Sequence, residues 1–287
     1  MSTRWRSEIG VAAAGGLMLA ALLAGAPGAR GQEPAPAPAP APEAAAAEPE
    51  EPLIDPEAVE PVQRMVATLT GAKQLSFTVE QSYDVIQADG EAIEFGSRSE
   101  QTIRRPDRMR VERWDRTGRH LQAFYDGRAV TVYDDGPNVY ASAERSGTLD
   151  QLTDFLRDDV GLRLPLADLF GEDLAQVLVD NVIAARHVDV QTVEDRPCDH
   201  VALRTREGVG IQLWIRQGDP AVPERIVINF ELARGRPQFR ASFTDWNLSP
   251  RTPDRLFAFE APRGATRVPF VLPERGAAAS AAQEGGQ

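Results

Sequence analysis

The stretch GIQLWIRQGDPAVPERIVINFE, residues 210–231, decides the fold, and it is typical of two β-strands joined by a polar turn. Apolar residues alternate with other residues on both sides of the turn: Ile211, Leu213 and Ile215 before it, and Ile226, Ile228 and Phe230 after it. Strict alternation of this kind predicts strands with one apolar face. The connector is rich in turn residues and in proline, which do not fit a central ladder, so the chain must reverse there. A hairpin with one apolar face needs further strands and a cover.

Further strands are predicted on both sides of this hairpin. The first of them carries Phe77, Val79, Tyr83 and Val85 on one face. The others are expected at residues 92–103, 109–114, 121–125, 129–133, 139–143, 186–193, 198–204 and 238–246. Turn sequences such as Asp89-Gly90 and Asp126-Gly127 separate them. Such regular spacing predicts one long antiparallel meander of about ten or eleven strands.

Three stretches have helical rather than strand periodicity. Asp55 is suited to cap a helix that begins at Pro56 and ends at Gly71. A second helix is predicted from Thr148, with Gly161 as its stop, by the spacing of Leu149, Leu152, Phe155, Leu156 and Val160. A third, broken helical stretch is expected at residues 164–179. Because a sheet this long tends to curl, the inserted helices are expected to cover its concave side.

Both ends of the chain are predicted to lie outside the folded domain, which spans residues 55–270. Residues 1–31 have the layout of a secretory signal, with a basic start, an apolar run and small residues for cleavage after Gly31. The apolar run is shorter than the roughly 20 residues of a membrane span; a retained N-terminal anchor is the alternative. Residues 32–54, rich in Pro and Ala, predict a disordered linker, interpreted as a processed leader or as an extended spacer. Residues 271–287 predict a disordered tail.

Charge and cysteine usage limit the partners and the compartment. The formal net charge of −12 argues against nucleic acid and against anionic membrane surfaces as partners. Cys198 is the single cysteine, so it forms no internal disulfide, and stability must come from the core. Together with the signal layout, these features predict a periplasmic protein with no integral membrane span in its mature form.

The sequence contains no pattern that is typical of an active site or a metal centre. His120, His187 and His200 are not in metal-ligand spacing, although Cys198 and His200 share one face of a strand. Two ligands are too few for zinc, so this pair is interpreted as a small buried thiol beside a surface imidazole. The acid pairs Asp134-Asp135, Asp158-Asp159 and Glu172-Asp173 are interpreted as caps and solvated charge. We therefore predict no enzyme, no catalytic residue, no metal and no cofactor.

The run FTDWNLSPRTPDRLFAFEAPRGATRVPF, residues 243–270, resembles the C-terminal signature of a family of predicted periplasmic proteins of unknown function. That family is grouped with the LolA/LolB-like lipoprotein carriers. Trp214, Pro223 and Ile226 match the same pattern, as do residues 124–127, Phe-Tyr-Asp-Gly. The resemblance covers about residues 55–270.

The resemblance implies a fold and a function. The fold is mainly β with inserted helices: a strongly curved antiparallel half-barrel, LolA/LolB-like, with helices covering the concave face. In the carriers the cavity holds the acyl chains of a lipoprotein. We therefore predict a non-catalytic periplasmic protein that binds a lipid or a lipoprotein acyl chain. The alternative is an envelope sensor or scaffold that binds another envelope protein and fills the cavity with its own helices, because the Pro/Ala-rich leader and the insertion at residues 149–179 depart from the carriers.

The predicted cavity is lined by residues on the apolar side of their strands, facing the apolar side of the second helix. The strand residues are Phe77, Val79, Tyr83, Met109, Val111, Leu213, Ile215, Ile226 and Ile228, and the helix residues are Leu152, Phe155 and Leu156. If that helix can move, an acyl chain would replace it against the sheet. A polar change at Leu213 is then expected to weaken lipid binding more than stability.

Overall fold

The structure is a computed structural model that describes residues 53–160, 166–171 and 174–270. The predicted signal sequence, nearly all of the predicted linker and the predicted C-terminal tail lie outside the described residues. So do the expected helix stop at Gly161, the start of the third helical stretch, and the acid pair Glu172-Asp173.

The described residues form thirteen strands and two α-helices. The strands are β1 (Leu53–Ile54), β2 (Gln74–Ile86), β3 (Ala92–Arg104), β4 (Arg108–Asp115), β5 (His120–Tyr125), β6 (Ala129–Asp134), β7 (Val139–Glu144), β8 (Val182–Val193), β9 (Arg196–Thr205), β10 (Val209–Arg216), β11 (Pro223–Phe230), β12 (Gln238–Asn247) and β13 (Thr266–Arg267). The helices are α1 (Pro56–Gly71) and α2 (Leu149–Asp158). A 3₁₀ turn (Ala167–Leu169) and a π-helical turn (Gln176–Asp180) lie in what we call the inserted segment, residues 166–171 and 174–180.

All strands belong to one open sheet in the order β1-β8-β9-β10-β11-β12-β2-β3-β4-β5-β6-β7-β13. The strands from β2 to β12 pair antiparallel, and only the two-residue strands at the edges, β1 and β13, pair parallel. The predicted class, a mainly antiparallel sheet with helices inserted midway, is confirmed. The single continuous meander is wrong: β7 and β8 lie at opposite sides of the sheet, and β12 returns to pair with β2.

Local sequence signals set the helix starts where they were predicted. Asp55 accepts a hydrogen bond from the backbone N–H of Glu57 at 2.9 Å, and Pro56 is the first residue of α1. Thr148 and Gln151 form a reciprocal capping box at the start of α2. The end of α2 at Asp158 precedes the predicted stop by three residues.

Helix α1 bridges one half of the sheet. At its start the backbone N–H of Asp55 donates to the Ala185 carbonyl of β8. At its end the guanidinium of Arg105, directly after β3, donates to the carbonyls of Leu69 and Ala72. The seven strands from β8 to β3 would extend about 29 Å in a flat sheet, whereas a helix of 16 residues is about 24 Å long. The flat sheet would therefore be too wide for α1 to contact both β8 and the end of β3, so the sheet must curve around the helix. We call the face that carries α1 the concave face.

Two separate apolar clusters occupy the concave face. The larger joins α1 and the inserted segment to β2 and to strands β8–β12; Phe77 of β2 stacks on Phe170 of the inserted segment at 4.9 Å between ring centroids. The smaller joins α2 to Tyr125 of β5 and Val130 of β6. Met109 of β4 contacts both clusters. Helices therefore cover the concave face in two places rather than one.

The C-terminal strap, residues 254–270, wraps the β7 edge of the sheet. On the convex face, the ring of Phe259 packs against Phe124 and Tyr140, with centroids 5.5 and 5.0 Å away. The strap then pairs with β7 as β13, and Phe270 reaches the ring of Phe155 of α2 on the concave side at 6.4 Å. The strap covers an edge whose backbone groups would otherwise be open to another chain.

Candidate functional site

Eight of the nine predicted strand residues lie in or against the larger cluster. Six of them are at most 7 % exposed beneath α1 and the inserted segment: Phe77, Val79, Leu213, Ile215, Ile226 and Ile228. Tyr83 and Met109 are half-buried at its border. These side chains do share one face, as predicted, but this part of the concave face is filled by the chain itself.

The three predicted helix residues lie elsewhere. Leu152, Phe155 and Leu156 are buried against Tyr125 and Val130, in the smaller cluster. They do not belong to the cluster that contains Leu213. Leu149, at the start of α2, contacts both clusters. The structure thus places the predicted lining residues in two groups with different covers: α1 and the inserted segment over one, α2 over the other.

The remaining predicted residue, Val111, lies in a part of the concave face that is only half-buried. Register places Val111 of β4 opposite Ala123 of β5, then Val132 of β6 and Ala141 of β7. The next row of paired residues on the same face consists of Leu121 of β5, Asp134 of β6 and Val139 of β7. All six apolar side chains are half-buried, and none is part of an apolar cluster of the described residues. We call these six residues the concave patch: Val111, Leu121, Ala123, Val132, Val139 and Ala141.

A polar group borders the concave patch on its β3 side. Ser97 and Ser99 are 3 % and 1 % exposed, and Arg113 lies opposite Ser99 on β4. Gln81 Nε2 and Arg113 Nε each donate to Ser97 Oγ at 3.1 Å. Gln101 Nε2 lies 3.3 Å from Ser99 Oγ. Sequence reasoning did not single out these residues, although the alternation that places Phe77 and Val79 on this face extends to their β3 partners.

A buried carboxylate on the far side of the sheet was also missed. The pairing of β10 with β11 shifts between Trp214 and Ile215, so that Glu224 is an extra residue in a β-bulge. Its side chain is fully buried, and its carboxylate accepts from Arg216 Nε at 2.6 Å and Arg196 Nη1 at 3.2 Å. Burying this charge is tolerable because two guanidinium groups neutralise it.

Cys198 has the surroundings of a structural thiol. It is fully buried in a small cluster with Trp214 and Val227. Burial raises the pKa of its thiol to about 11, and the nearby charge of Glu224 acts in the same direction. His200 stacks on Trp214 at 4.2 Å and lies 3.2 Å from Gln212 Oε1. Within residues 53–160, 166–171 and 174–270, no group of three or more His, Cys, Asp or Glu side chains could hold a metal ion.

A further cleft of about 330 Å³ lies on the convex face, between strands β5–β7 and the strap. It is lined by Phe124, Thr131, Tyr140, Ser142, Phe257 and Phe259, among others. Phe257 and Phe259 of the strap form one wall, so we interpret this cleft as a gap left by incomplete packing between the strap and the sheet.

Among the described helices, none combines the length and the apolar character that a membrane crossing needs.

Fold and site together define a class: an open antiparallel sheet, curved around helices, with a partly filled concave face bordered by polar groups. Residues 58–271 match the model of the family described as "Predicted periplasmic protein (DUF2092)", and the chain belongs to that family. The predicted periplasmic localisation agrees with this membership and is confirmed at that level. No curated protein matches the chain.

Solved structures similar to this one include three from bacteria. LprF from Mycobacterium bovis is 15 % identical over 70 % of this chain and 97 % of its own, with a TM-score of 0.45. A complex of MucA and MucB from Pseudomonas aeruginosa is 18 % identical over 71 % and 61 %, with a TM-score of 0.38. A LolA superfamily protein from Nitrosomonas europaea is 12 % identical over 70 % and 97 %, with a TM-score of 0.33. We infer no ligand or partner from likenesses at this level.

Proposed function

We propose that this protein is a non-catalytic periplasmic binding protein that holds an acyl chain on the concave patch. The observation that carries the proposal is the contrast between the two halves of one apolar face. The half from β8 to β2 is buried under the chain's own helices, whereas the concave patch between β4 and β7 is half-buried and belongs to no cluster.

The composition of the concave patch suits a flexible apolar ligand. Four of its six members, Val111, Ala123, Val132 and Ala141, form one row of paired residues across β4 to β7. All four side chains are small and leave room above the sheet. Each methylene group that moves from water onto such a surface gains about 0.8 kcal/mol. A chain of ten methylenes could thus gain roughly 8 kcal/mol before the cost of ordering the ligand.

The second candidate function is a sensor or scaffold that binds another envelope protein. Its support is the filled half of the concave face, where α1 and the inserted segment bury Leu213, Ile215 and Ile226. Because Leu213 is fully buried, Leu213→Gln is now expected to lower stability by about 2–5 kcal/mol. It therefore tests folding rather than lipid binding, contrary to the expectation from the sequence.

The test of acyl-chain binding is mass spectrometry of lipid that co-purifies with protein exported to the periplasm. Val111→Gln should reduce the lipid retained per protein about tenfold, since it places an amide in the concave patch. Glu112→Gln is the matched control, because Glu112 is the next residue, is also half-buried and lies on the opposite face. Both variants should keep the wild-type melting temperature within a few degrees.

Two outcomes would contradict the proposal. One is wild-type protein that carries no lipid and binds no added acyl chain. The other is lipid that is retained equally by the wild type and by folded Val111→Gln. In either case the sensor or scaffold function becomes the better reading, and affinity purification of crosslinked envelope proteins would be the next experiment.

A further inference from the structure

Arg113 brings a positive charge to the edge of the concave patch. It lies on the same face of β4 as Val111, two residues further along, between Ser99 of β3 and Leu121 of β5. One neighbour is thus a buried hydroxyl and the other is an apolar member of the concave patch. The protein as a whole carries a formal charge of −12, so any attraction for an anion here must be local.

Among the described residues, the guanidinium of Arg113 uses only one of its nitrogens. Nε donates to Ser97 Oγ at 3.1 Å, which fixes the plane of the group. The two terminal nitrogens make no hydrogen bond and no ion pair within the described part of the chain, and neither is a buried atom. Four N–H donors are therefore not used by the described residues, and they have the fork geometry that matches a carboxylate.

The nearby carboxylates are engaged by other groups. Asp115, on the same face of β4, accepts from the backbone N–H groups of Thr117 and Arg119 and from the Thr117 hydroxyl. Asp134, beyond Leu121 in the same row, is paired with Arg119 at 2.6 Å. By contrast Arg98, on the convex side of β3, is paired with Glu100 at 3.0 Å. Arg113 is a half-buried cation. In addition to the hydrogen bond from Thr117, its charge helps to lower the pKa of Asp115, two residues along on the same face, but it forms no ion pair with any described residue.

We propose that the natural ligand is an anionic single-chain amphiphile, a fatty acid, whose carboxylate binds the Arg113 fork while its chain lies on the concave patch. This inference rests on the proposed function and adds the chemical class of the headgroup. A single guanidinium suits a headgroup with one negative charge, and the hydrogen-bonded pair Ser99 and Gln101 makes the surroundings on the β3 side polar. Because Arg113 adjoins the patch directly, the charge must sit at the end of the chain.

The experiment compares ligands with the same twelve-carbon chain: dodecanoate, dodecanol and dodecyl phosphate. Binding is measured by calorimetry at neutral pH and below micelle formation. We expect the wild type to bind dodecanoate about tenfold more tightly than dodecanol, as expected for one charge-assisted pair of hydrogen bonds. Arg113→Gln should remove that difference by weakening dodecanoate alone, and Arg113→Lys should restore part of it. Arg98→Gln, on the opposite face, should keep the wild-type preference.

The outcomes separate this inference from the proposed function. Equal binding of dodecanoate and dodecanol by the wild type would overturn the headgroup assignment and leave acyl-chain binding intact. A clear preference for dodecyl phosphate would overturn the carboxylate in favour of a phosphate headgroup. A preference for dodecanoate that survives in Arg113→Gln would overturn the role of Arg113. Binding of none of the three ligands would overturn the proposed function together with this inference.

Discussion

Cys198 and Glu224 illustrate how single residues of this protein depend on burial. The thiol and the carboxylate are both fully buried. Arg216 and Arg196 pair with the carboxylate. At the thiol, burial and the charge of Glu224 outweigh the backbone hydrogen bond from Val193 and the charge of Arg216, which favour the thiolate. The pKa of the thiol therefore rises, and Cys198 behaves as a small apolar group.

Cys198 should make stability fall at alkaline pH. Its pKa is raised from 9.0 in an exposed chain to about 11, because burial disfavours the thiolate. The contribution of the neutral thiol is fully present below about pH 9 and is lost as the pH rises toward 11. We expect the free energy of unfolding of the wild type to fall relative to Cys198→Ala by up to about 1.4 kcal/mol per pH unit in that window. Urea denaturation at several pH values checks this; parallel curves for the two proteins would contradict it.

Removing the Glu224 carboxylate should be among the most damaging single changes. Glu224→Ala leaves Arg216 and Arg196 facing each other without their counter-ion, and we expect a loss of about 3–5 kcal/mol in the free energy of unfolding. Glu91→Ala, at an exposed turn, should change stability by less than about 0.5 kcal/mol. Denaturation curves of similar midpoint for both variants would show that the buried pair is not needed.

At the scale of elements, paired side chains on the convex face hold neighbouring strands in register. One row of directly paired residues crosses eight strands from β9 to β5. The row is His200, Trp214, Arg225, Ser242, Glu80, Arg98, Trp114 and His120. Each tryptophan ring stacks on the ring of the neighbouring histidine, with centroids 4.2 Å apart for Trp214 and 4.7 Å for Trp114. The arginine on the other side of each tryptophan places its guanidinium carbon over the indole, 5.5 and 5.8 Å from the ring centroid. Such cross-strand pairs stabilise one register over its neighbours.

We expect the strap to contribute to stability through its residues up to Phe270. Truncation after Ala265 removes β13 and the contact of Phe270 with Phe155, so the β7 edge opens and α2 loses part of its packing. We expect a loss of about 2 kcal/mol or more and a tendency to aggregate. Truncation after Phe270 is the control and should match the full-length protein. Thermal denaturation and light scattering measure both effects, and equal behaviour of the two truncations would refute the role of the strap.

On the scale of the whole molecule, the sheet consists of two meanders, β2–β7 and β8–β12, and they cannot be independent. Strand β2 of the first meander pairs along its length with β12 of the second, and α1 packs over β8–β10 although it precedes the first meander in sequence. The larger cluster therefore takes residues from both halves of the chain, Leu69 and Phe77 from one and Leu213 and Phe243 from the other.

Separate halves should therefore fail to fold. Fragments 53–160 and 174–270, expressed apart, are each expected to lack a cooperative unfolding transition, because each exposes a long edge and half of the larger cluster. Mixed during refolding, they should form a soluble complex with the circular dichroism of the intact chain. Cooperative unfolding of either fragment alone would show that the meanders are separate folding units.

Much of the fold was determined by local sequence. Alternation of Ile211, Leu213 and Ile215 gave the strands, because a pleated strand repeats every two residues, and Asp55-Pro56 and Thr148 gave the helix starts, because capping is a contact between near neighbours. The family resemblance was likewise readable from residues 243–270, and membership is confirmed.

What only the tertiary structure decided is how distant parts meet. Alternation would place Trp246 on the opposite face from Phe243, but a shift in pairing after Thr244, with Asp245 at φ 56°, turns its indole toward Phe243 and the Pro223 carbonyl. The return of β12 to β2 likewise depends on contacts across more than 150 residues. Periodicity fixes which face a side chain takes, but it carries no information about which helix covers that face. For this reason the sequence grouped Val111 with Leu213, whereas in the structure Val111 is the one predicted strand residue outside the apolar clusters of the described residues, on the same face as Arg113.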